Sequence, residues 1–170
     1  ELFDFARAKS DLDRALGINA QHGLALFNRG RVFLELGQMD NALADLNAAE
    51  RAKADTLFVP IYRGWVFNFK GDYTRALAEF QKAVPTMPDD ASPYNGLCWA
   101  HAHRLEFDKA IPLCDKAVAL DPDGYEVMHT RAVAKLRMGT LGVALADFDQ
   151  ASKLKPDSAS VYADRGQVHE

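Results

Sequence analysis

The sequence predicts an all-α fold built as a solenoid, because one pattern of small and apolar residues recurs at a constant step of 34 residues. Two alanine series carry this step: Ala8, Ala42, Ala76, Ala110 and Ala144, then Ala15, Ala49, Ala83, Ala117 and Ala151. Between the two alanines, each repeat carries a larger apolar residue or a cysteine: Leu12, Leu46, Phe80, Cys114 and Phe148. These spacings place the side chains on one face of a helix, so each repeat contains an amphipathic helix.

Another helix precedes each alanine helix and has its own stripe with the same step. In two of the repeats this stripe reads Leu26, Arg29, Gly30, Phe33 and Met128, Arg131, Ala132, Lys135. Glycines mark the turn between the two helices: Gly37, Gly71 and Gly139. Three residues are placed to cap the alanine helix, namely Asp40, Thr74 and Asp108. Pro88, Pro122 and Pro156 end the alanine helices of the later repeats.

The period divides the chain into six repeats, numbered here in chain order. Residues 1–22 supply the second helix of a partial repeat 1, and residues 159–170 supply the first helix of repeat 6. The full repeats 2 to 5 cover residues 23–56, 57–90, 91–124 and 125–158. The prediction is therefore one array over residues 1–170 with about ten antiparallel helices. Open ends of such an array predict either a longer parent array or end-to-end self-association.

The pattern resembles the tetratricopeptide repeat, in which the second helix carries Ala, an aromatic residue, Ala and then Pro. Repeat 3 matches with Ala76, Phe80, Ala83 and Pro88, and repeat 5 with Ala144, Phe148, Ala151 and Pro156. The resemblance covers essentially the whole chain. It implies a right-handed superhelix whose first helices line a concave surface that receives an extended peptide or a helix of a partner protein.

Composition excludes several functions. The formal net charge is -4 with both signs interspersed, so no basic stripe is present and nucleic acid is not expected as a partner. No apolar run is long enough to cross a bilayer, so membrane insertion is not expected. The two cysteines, Cys98 and Cys114, are too few for a disulfide framework, and free, buried thiols are expected. The less favoured alternative is a disulfide, since the two lie on facing helices of repeat 4.

One pair of positions covaries between the repeats. An arginine in the first helix occurs with an acid in the second, in three pairs: Arg29 with Asp45, Arg63 with Glu79, and Arg131 with Asp147. Repeat 4 replaces both members, with Leu97 and Leu113. This pattern predicts a salt bridge within repeats 2, 3 and 5. Arg165 is expected to lack its partner.

Carried onto this sequence, the resemblance assigns a partner-binding groove to positions off the packing stripe of the first helices: Phe27, Arg31, Phe58, Ile61, Trp65, Phe69, Asn95, Trp99, His103 and His129. Trp65 and Trp99 are the expected anchors. Phe27 and Arg31 occupy the first pair of positions at which the family's carboxylate clamp needs Lys and Asn, so a largely apolar segment is favoured. The alternative is a tightly wound array in which these rings pack on each other or on a neighbouring chain.

No catalytic motif is present, and no enzyme activity, cofactor or metal is expected. Cys98 and His101 are one helical turn apart, but both lie at packing positions, so a metal site is not favoured. The predicted function is a protein–protein interaction scaffold. Two alternatives remain, a structural self-association module and a regulatory domain of a larger multidomain protein.

Overall fold

A computed structural model of the chain describes residues 4–53 and 57–169. These residues form ten α-helices, one short 3₁₀ helix and no β-strand, which confirms the all-α prediction. The helices are α1 (Phe5–Ile18), α2 (Gly23–Glu35), α3 (Met39–Arg51), α4 (Val59–Phe69), α5 (Tyr73–Ala83), α6 (Ala91–His103), α7 (Phe107–Leu120), α8 (Tyr125–Arg137), α9 (Leu141–Leu154) and α10 (Ala159–Gly166). The 3₁₀ helix covers Gln167–His169. The division into six repeats stays a prediction, and the repeat numbers serve as labels.

The chain divides into two compact units, an N-terminal unit, Glu1–Asp72, and a C-terminal unit, Tyr73–Glu170. In the N-terminal unit α2 packs against α3, with α1 and α4 beside them. In the C-terminal unit the main helix pairs are α6 with α7 and α8 with α9, and α6 also packs against α8. Each pair is a first helix and the alanine helix that follows it.

The predicted alanine stripe lies in the core. From repeat 2 onward, both alanines of each repeat and the residue between them are almost fully buried: Ala42, Leu46, Ala49, Ala76, Phe80, Ala83, Ala110, Cys114, Ala117, Ala144, Phe148 and Ala151. Small residues let the neighbouring helix approach closely, and the larger residue fills the space between the two backbones. Both compact units thus use the same stripe for packing.

The predicted caps are wrong by two residues. Helix α3 begins after Gln38, and α7 begins after Glu106, so Asp40 and Asp108 lie in the first helical turn. Thr74 lies inside α5. A carboxylate in the first turn still stabilises the helix, because it faces the positive end of the helix dipole.

Two of the three predicted arginine pairs are confirmed. The Arg29 Nε atom lies 2.6 Å from Asp45 Oδ2, and Arg131 Nη2 lies 2.7 Å from Asp147 Oδ1. Both aspartates are buried. In the N-terminal unit Arg63 donates to Glu50 Oε1 at 3.0 Å. The Arg63–Glu79 pair involves both units and stays a prediction.

Arg29 and Arg131 also bind an acid 16 residues earlier, which sequence reasoning missed. Arg29 Nη1 donates to Asp13 at 2.8 Å, and Arg131 Nη1 donates to Asp115 at 3.0 Å. Arg165, expected to lack a partner, binds Asp149 at 3.1 Å. Each of these arginines therefore contacts the alanine helix of the preceding repeat, and Arg29 and Arg131 also bind their own.

The expectation of two free thiols is wrong. Cys98 and Cys114 form a disulfide between α6 and α7, with their Cα atoms 5.1 Å apart. They lie at the positions where other repeats place a small residue against Leu or Phe, so the two side chains face each other across the helix pair. That Cα separation lies inside the range that disulfides require.

No helix in the described part of the chain is both apolar and long enough to span a membrane.

Candidate protein-binding surface on the first helices

The positions assigned to the groove are described for each compact unit separately. In the N-terminal unit they come from α2 and α4. On α4, Phe58, Trp65 and Phe69 follow a helical spacing that places them on one face, with Tyr62 beside them. We call these residues, together with Phe27 and Arg31 of α2, the N-terminal aromatic face.

Rings of the N-terminal aromatic face pack on each other. Trp65 and Phe69 stack with their centroids 5.8 Å apart. Phe27 meets Tyr62 edge to face at 5.4 Å, and the Arg31 guanidinium lies 5.0 Å from the centre of the Tyr62 ring. Such cation–π and edge-to-face contacts restrict the side chains, so the face is preorganised.

Only part of this face is open to solvent. Phe58 and Phe69 are exposed by 43% and 56%, and Trp65 is half-buried. Phe27 and Ile61 are buried, so the expectation that they face an open groove is wrong. For Phe27 the reason is the contact with Tyr62, which the spacing of α2 alone does not reveal. Aromatic contact with solvent is therefore concentrated at the two ends of α4.

In the C-terminal unit the corresponding positions belong to α6 and α8. His103 stacks on Trp99 with centroids 4.4 Å apart, and the Tyr73 ring lies 5.4 Å from His103. His103 Nδ1 lies 2.9 Å from the Trp99 carbonyl oxygen. Because a carbonyl only accepts, Nδ1 carries the proton, and in the neutral ring Nε2 is left as an acceptor. Tyr73 was not among the predicted site residues.

Burial and the neighbouring charges set the pKa of His103. Burial lowers the pKa of His103 below its ordinary value of 6.5, and nearby Arg137 lowers it further. The hydrogen bond to the Trp99 carbonyl and the charge of Asp164 act in the opposite direction. The net result is a neutral, half-buried imidazole beside a tryptophan.

His129 and Asn95 have different surroundings. His129 Nε2 donates to Asp164 Oδ2 at 2.8 Å, so this histidine joins α8 to α10. Sequence reasoning missed Asp164, because it follows no repeated spacing. Asn95 is buried, and its Oδ1 accepts no hydrogen bond within the described residues. A buried amide oxygen without a donor is unusual.

The described residues contain no cluster of three His, Cys, Asp or Glu side chains that could hold a metal ion. The surface is characterised by stacked aromatic rings and a neutral, half-buried histidine. These groups can bind apolar and aromatic side chains.

Comparison with known proteins identifies the fold. The human tetratricopeptide repeat protein 6 is 26% identical over 129 residues, which covers 76% of this chain and 25% of that protein. The chain spans about a tenth to a quarter of the length of the curated relatives it matches first. A tetratricopeptide repeat protein of Thermus thermophilus superposes with a TM-score of 0.81 at 24% identity, covering 97% of this chain and 90% of that one. One from Parabacteroides merdae also gives 0.81, at 21% identity, covering 96% and 64%.

Repeats of this fold generally form non-catalytic scaffolds that mediate protein–protein interactions. The sequence profile of the tetratricopeptide repeat matches residues 3–55 and 62–125, which together make up more than half of the chain. The chain belongs to the tetratricopeptide repeat family.

Proposed function

We propose that the first helices bind an extended or helical segment of a partner protein, in which apolar side chains predominate. Phe58, Trp65 and Phe69 are the contact residues in the N-terminal unit, and Trp99 and His103 are those in the C-terminal unit. The observation that carries the proposal is the exposure of Phe58 and Phe69 on a preorganised aromatic face. Exposed aromatic clusters of this kind are typical of interfaces, because covering them removes a large apolar area from water.

Two related structures support a peptide as the ligand class. The tetratricopeptide repeat protein YrrB is described as having an unusual peptide-binding site. It is 20% identical to this chain, superposes with a TM-score of 0.65 and is covered over 84% of its length. The structure of the second tetratricopeptide repeat domain of human RPAP3, which is 21% identical to this chain, was determined in complex with an HSP70 peptide. At this identity the likeness shows the fold alone, so the ligand class is part of the proposal.

The side chains favour an apolar partner segment over an acidic chain terminus. Phe27 is buried against the Tyr62 ring and has no hydrogen-bond donor, so it cannot form a carboxylate clamp together with Arg31. In the C-terminal unit the neutral His103 offers an acceptor instead of a positive charge.

Affinity capture of partner proteins from the source cell tests the proposal, with one variant in each compact unit. Phe69→Ser removes an exposed aromatic ring without opening the core, and Trp99→Ala removes the anchor of the other unit. Each is expected to weaken partner binding by about tenfold or more, as hot-spot residues do. The matched control is Val143→Ser on α9, an exposed apolar residue outside the first helices.

Circular dichroism shows whether each variant is folded. If folded Phe69→Ser and Trp99→Ala proteins capture the same partners as the wild type, the binding surface lies elsewhere. Sedimentation velocity separates this function from the self-association alternative. A monomer at all concentrations supports the proposal, whereas a dimer that Phe69→Ser dissociates supports self-association through the aromatic face.

A further inference from the structure

The turn between α6 and α7 exposes a leucine in an unfavourable backbone conformation. Leu105 has φ of 61°, whereas the other turns of this type place Gly37, Gly71 and Gly139 at φ of 71°, 74° and 85°. Left-handed backbone suits glycine and is uncommon for a branched residue such as leucine. The Leu105 side chain is also 62% exposed. Neither backbone geometry nor burial explains a leucine here, and such outliers concentrate at functional sites.

This turn is held rigidly. The Glu106 carboxylate lies 2.6 Å from His101 Nδ1, 2.9 Å from Arg104 Nη2 and 3.4 Å from Lys109 Nζ. The hydrogen bond from His101 is the largest cause of the lowered pKa of Glu106, with Arg104 and Lys109 acting in the same direction against desolvation. The Leu105 N–H also donates to the Ala102 carbonyl at 3.1 Å. A side chain presented on a fixed turn loses little entropy when a partner binds.

The next turn of the same unit adds apolar side chains at the same edge. Arg137 Nε, at the end of α8, lies 3.4 Å from the Ala102 carbonyl oxygen near the end of α6, so the two turns are neighbours. Met138 and Leu141 of the second turn are 40% and 47% exposed. The two turns therefore present three exposed aliphatic side chains, Leu105, Met138 and Leu141, which we call the turn-edge patch.

Cations accompany the turn-edge patch although the whole chain is acidic. Arg104, Lys109 and Arg137 are exposed, and the chain has a net charge of -4. Two carboxylates lie at the first turn: Glu106, which contacts His101, Arg104 and Lys109, and the exposed Asp108. The three exposed cations therefore exceed these two acids by one charge. A ligand that contacts the patch therefore meets aliphatic groups beside a local excess of positive charge.

We propose that the turn-edge patch docks a short acidic segment of a partner protein, whose aliphatic side chains contact Leu105. This surface is separate from the first helices and does not depend on the function proposed for them. An anionic bilayer would also offer apolar and negative groups, but its extended negative surface repels a chain of net charge -4. A short peptide segment contacts the basic edge alone, so it fits the charge distribution better.

Selection from a library of short random peptides tests the proposal, because it needs no known partner. Peptides are selected for binding to the wild-type protein and against binding to Leu105→Gly. We expect the survivors to combine Asp or Glu with Leu, Ile, Val or Met. Fluorescence anisotropy should then show binding about tenfold weaker for Leu105→Gly, as for a hot-spot residue, with rescue by Leu105→Met. Ile18→Ser, which alters an exposed aliphatic residue of α1, is the matched control and should bind like the wild type.

Each other outcome argues against the proposal. A library that yields no peptide able to distinguish the two proteins, or yields peptides without acids, overturns it. Leu105-dependent binding to phosphatidylserine vesicles assigns the patch to a membrane, and a Leu105-dependent dimer in sedimentation velocity assigns it to a second copy. The melting temperature of Leu105→Gly should equal or exceed that of the wild type. A clear decrease would mean that Leu105 serves the fold.

Discussion

Repeats 4 and 5 have the same two-helix layout, yet they fill the same interface differently. In repeat 5 a small residue, Ala132, faces the fully buried ring of Phe148. In repeat 4 the corresponding positions carry Cys98 and Cys114, joined by a disulfide. Two cysteine side chains fill less volume between the helices than alanine and phenylalanine do. The covalent bond between the cysteines therefore replaces part of the stabilisation that the ring provides in repeat 5.

Four further differences between these repeats concern the ion pair and the turn. Where repeat 5 has the buried ion pair of Arg131 and Asp147, repeat 4 has the buried Leu97 and the half-buried Leu113. The turn glycine of repeat 5, Gly139, is replaced by Leu105, and Arg137 by His103. Partners at one contact change together, which teaches that the layout depends on complementary pairs and not on any one residue type.

The largest effect is expected from Phe148→Ala in repeat 5. It removes the buried ring and leaves a cavity beside Ala132 and Val161, members of the same core cluster. We expect the free energy of unfolding to fall by about 3 to 5 kcal/mol, measured by urea titration. Val143→Ala on the exposed side of the same helix is the control and should change it by less than about 0.5 kcal/mol. A loss for Phe148→Ala no larger than that of the control would refute the assigned packing role.

Removing the disulfide of repeat 4 is expected to have the next largest effect. The double variant Cys98→Ala with Cys114→Ala opens a loop between positions 16 residues apart, which corresponds to about 3 kcal/mol of stability in the chain-entropy description. Cys98→Ala with Cys114→Phe recreates the pair of repeat 5 and should recover part of that loss. Thermal unfolding of the three proteins measures both steps. If the phenylalanine variant is less stable than the double alanine, repeat 4 has no room for a ring.

Breaking the ion pair of repeat 5 should have a smaller effect. Arg131→Leu leaves Asp147 buried, although Lys135 still lies 2.9 Å from it, so the expected loss is about 2 kcal/mol. Adding Asp147→Leu imitates repeat 4 and should recover part of the loss. Recovery is incomplete, because Asp115 also loses Arg131. Urea denaturation measures the free energy of unfolding of the single and double variants. A double variant no more stable than the single one would disprove the pairing.

Comparison of the two turns predicts that Gly139→Leu lowers the free energy of unfolding by about 1 to 2 kcal/mol. Gly139→Leu places in repeat 5 the residue that repeat 4 has, at φ of 85°. No atom of another residue lies near the added Cβ, so the cost comes from the left-handed backbone and not from a clash. Gly139→Asn should cost less, because asparagine tolerates this conformation better. Equal melting temperatures for Gly139→Leu and the wild type would remove the argument that Leu105 is unfavourable.

These differences also show how far the sequence predicts the fold. The alanine series predicted the helices and their buried faces, because core packing repeats with the backbone. The polar residue 16 positions before each arginine was predictable too, since Asp13, Asn47, Asp115 and Asp149 are separated by 34 residues or twice that number. That signal was missed because these residues lie in the preceding repeat.

The candidate binding surface was predicted less completely. The resemblance to the family assigned Phe27 and Phe69 to one groove, but it cannot show that Phe27 packs against Tyr62 and is buried while Phe69 is exposed. Such differences arise from contacts between helices, which have no fixed spacing along the chain. The disulfide illustrates the same limit, because a separation of 16 residues brings two thiols together only when the helix pair has a particular crossing.

The smallest expected effect is a pH dependence specific to repeat 4, where His103 occupies the position of Arg137. Because the folded pKa of His103 is lowered, mainly by burial, the stability it contributes is complete above the unfolded value near 6.5. That stability is lost as the pH falls from this value through the lower folded pKa. Arg137→Gln removes a charge that lowers the pKa of His103, so it should make the loss smaller. His103→Gln should abolish this part of the loss.

Free energies of unfolding measured from mildly alkaline to mildly acidic pH give the three curves. Below the ordinary histidine pKa, the curve of His103→Gln should lie flatter than that of the wild type, with Arg137→Gln between them. His129 pairs with Asp164 in all three proteins, so its contribution cancels in the differences. Parallel curves would mean that the His103 imidazole titrates alike in the folded and unfolded chains, and that its stack on Trp99 does not exclude the charged form.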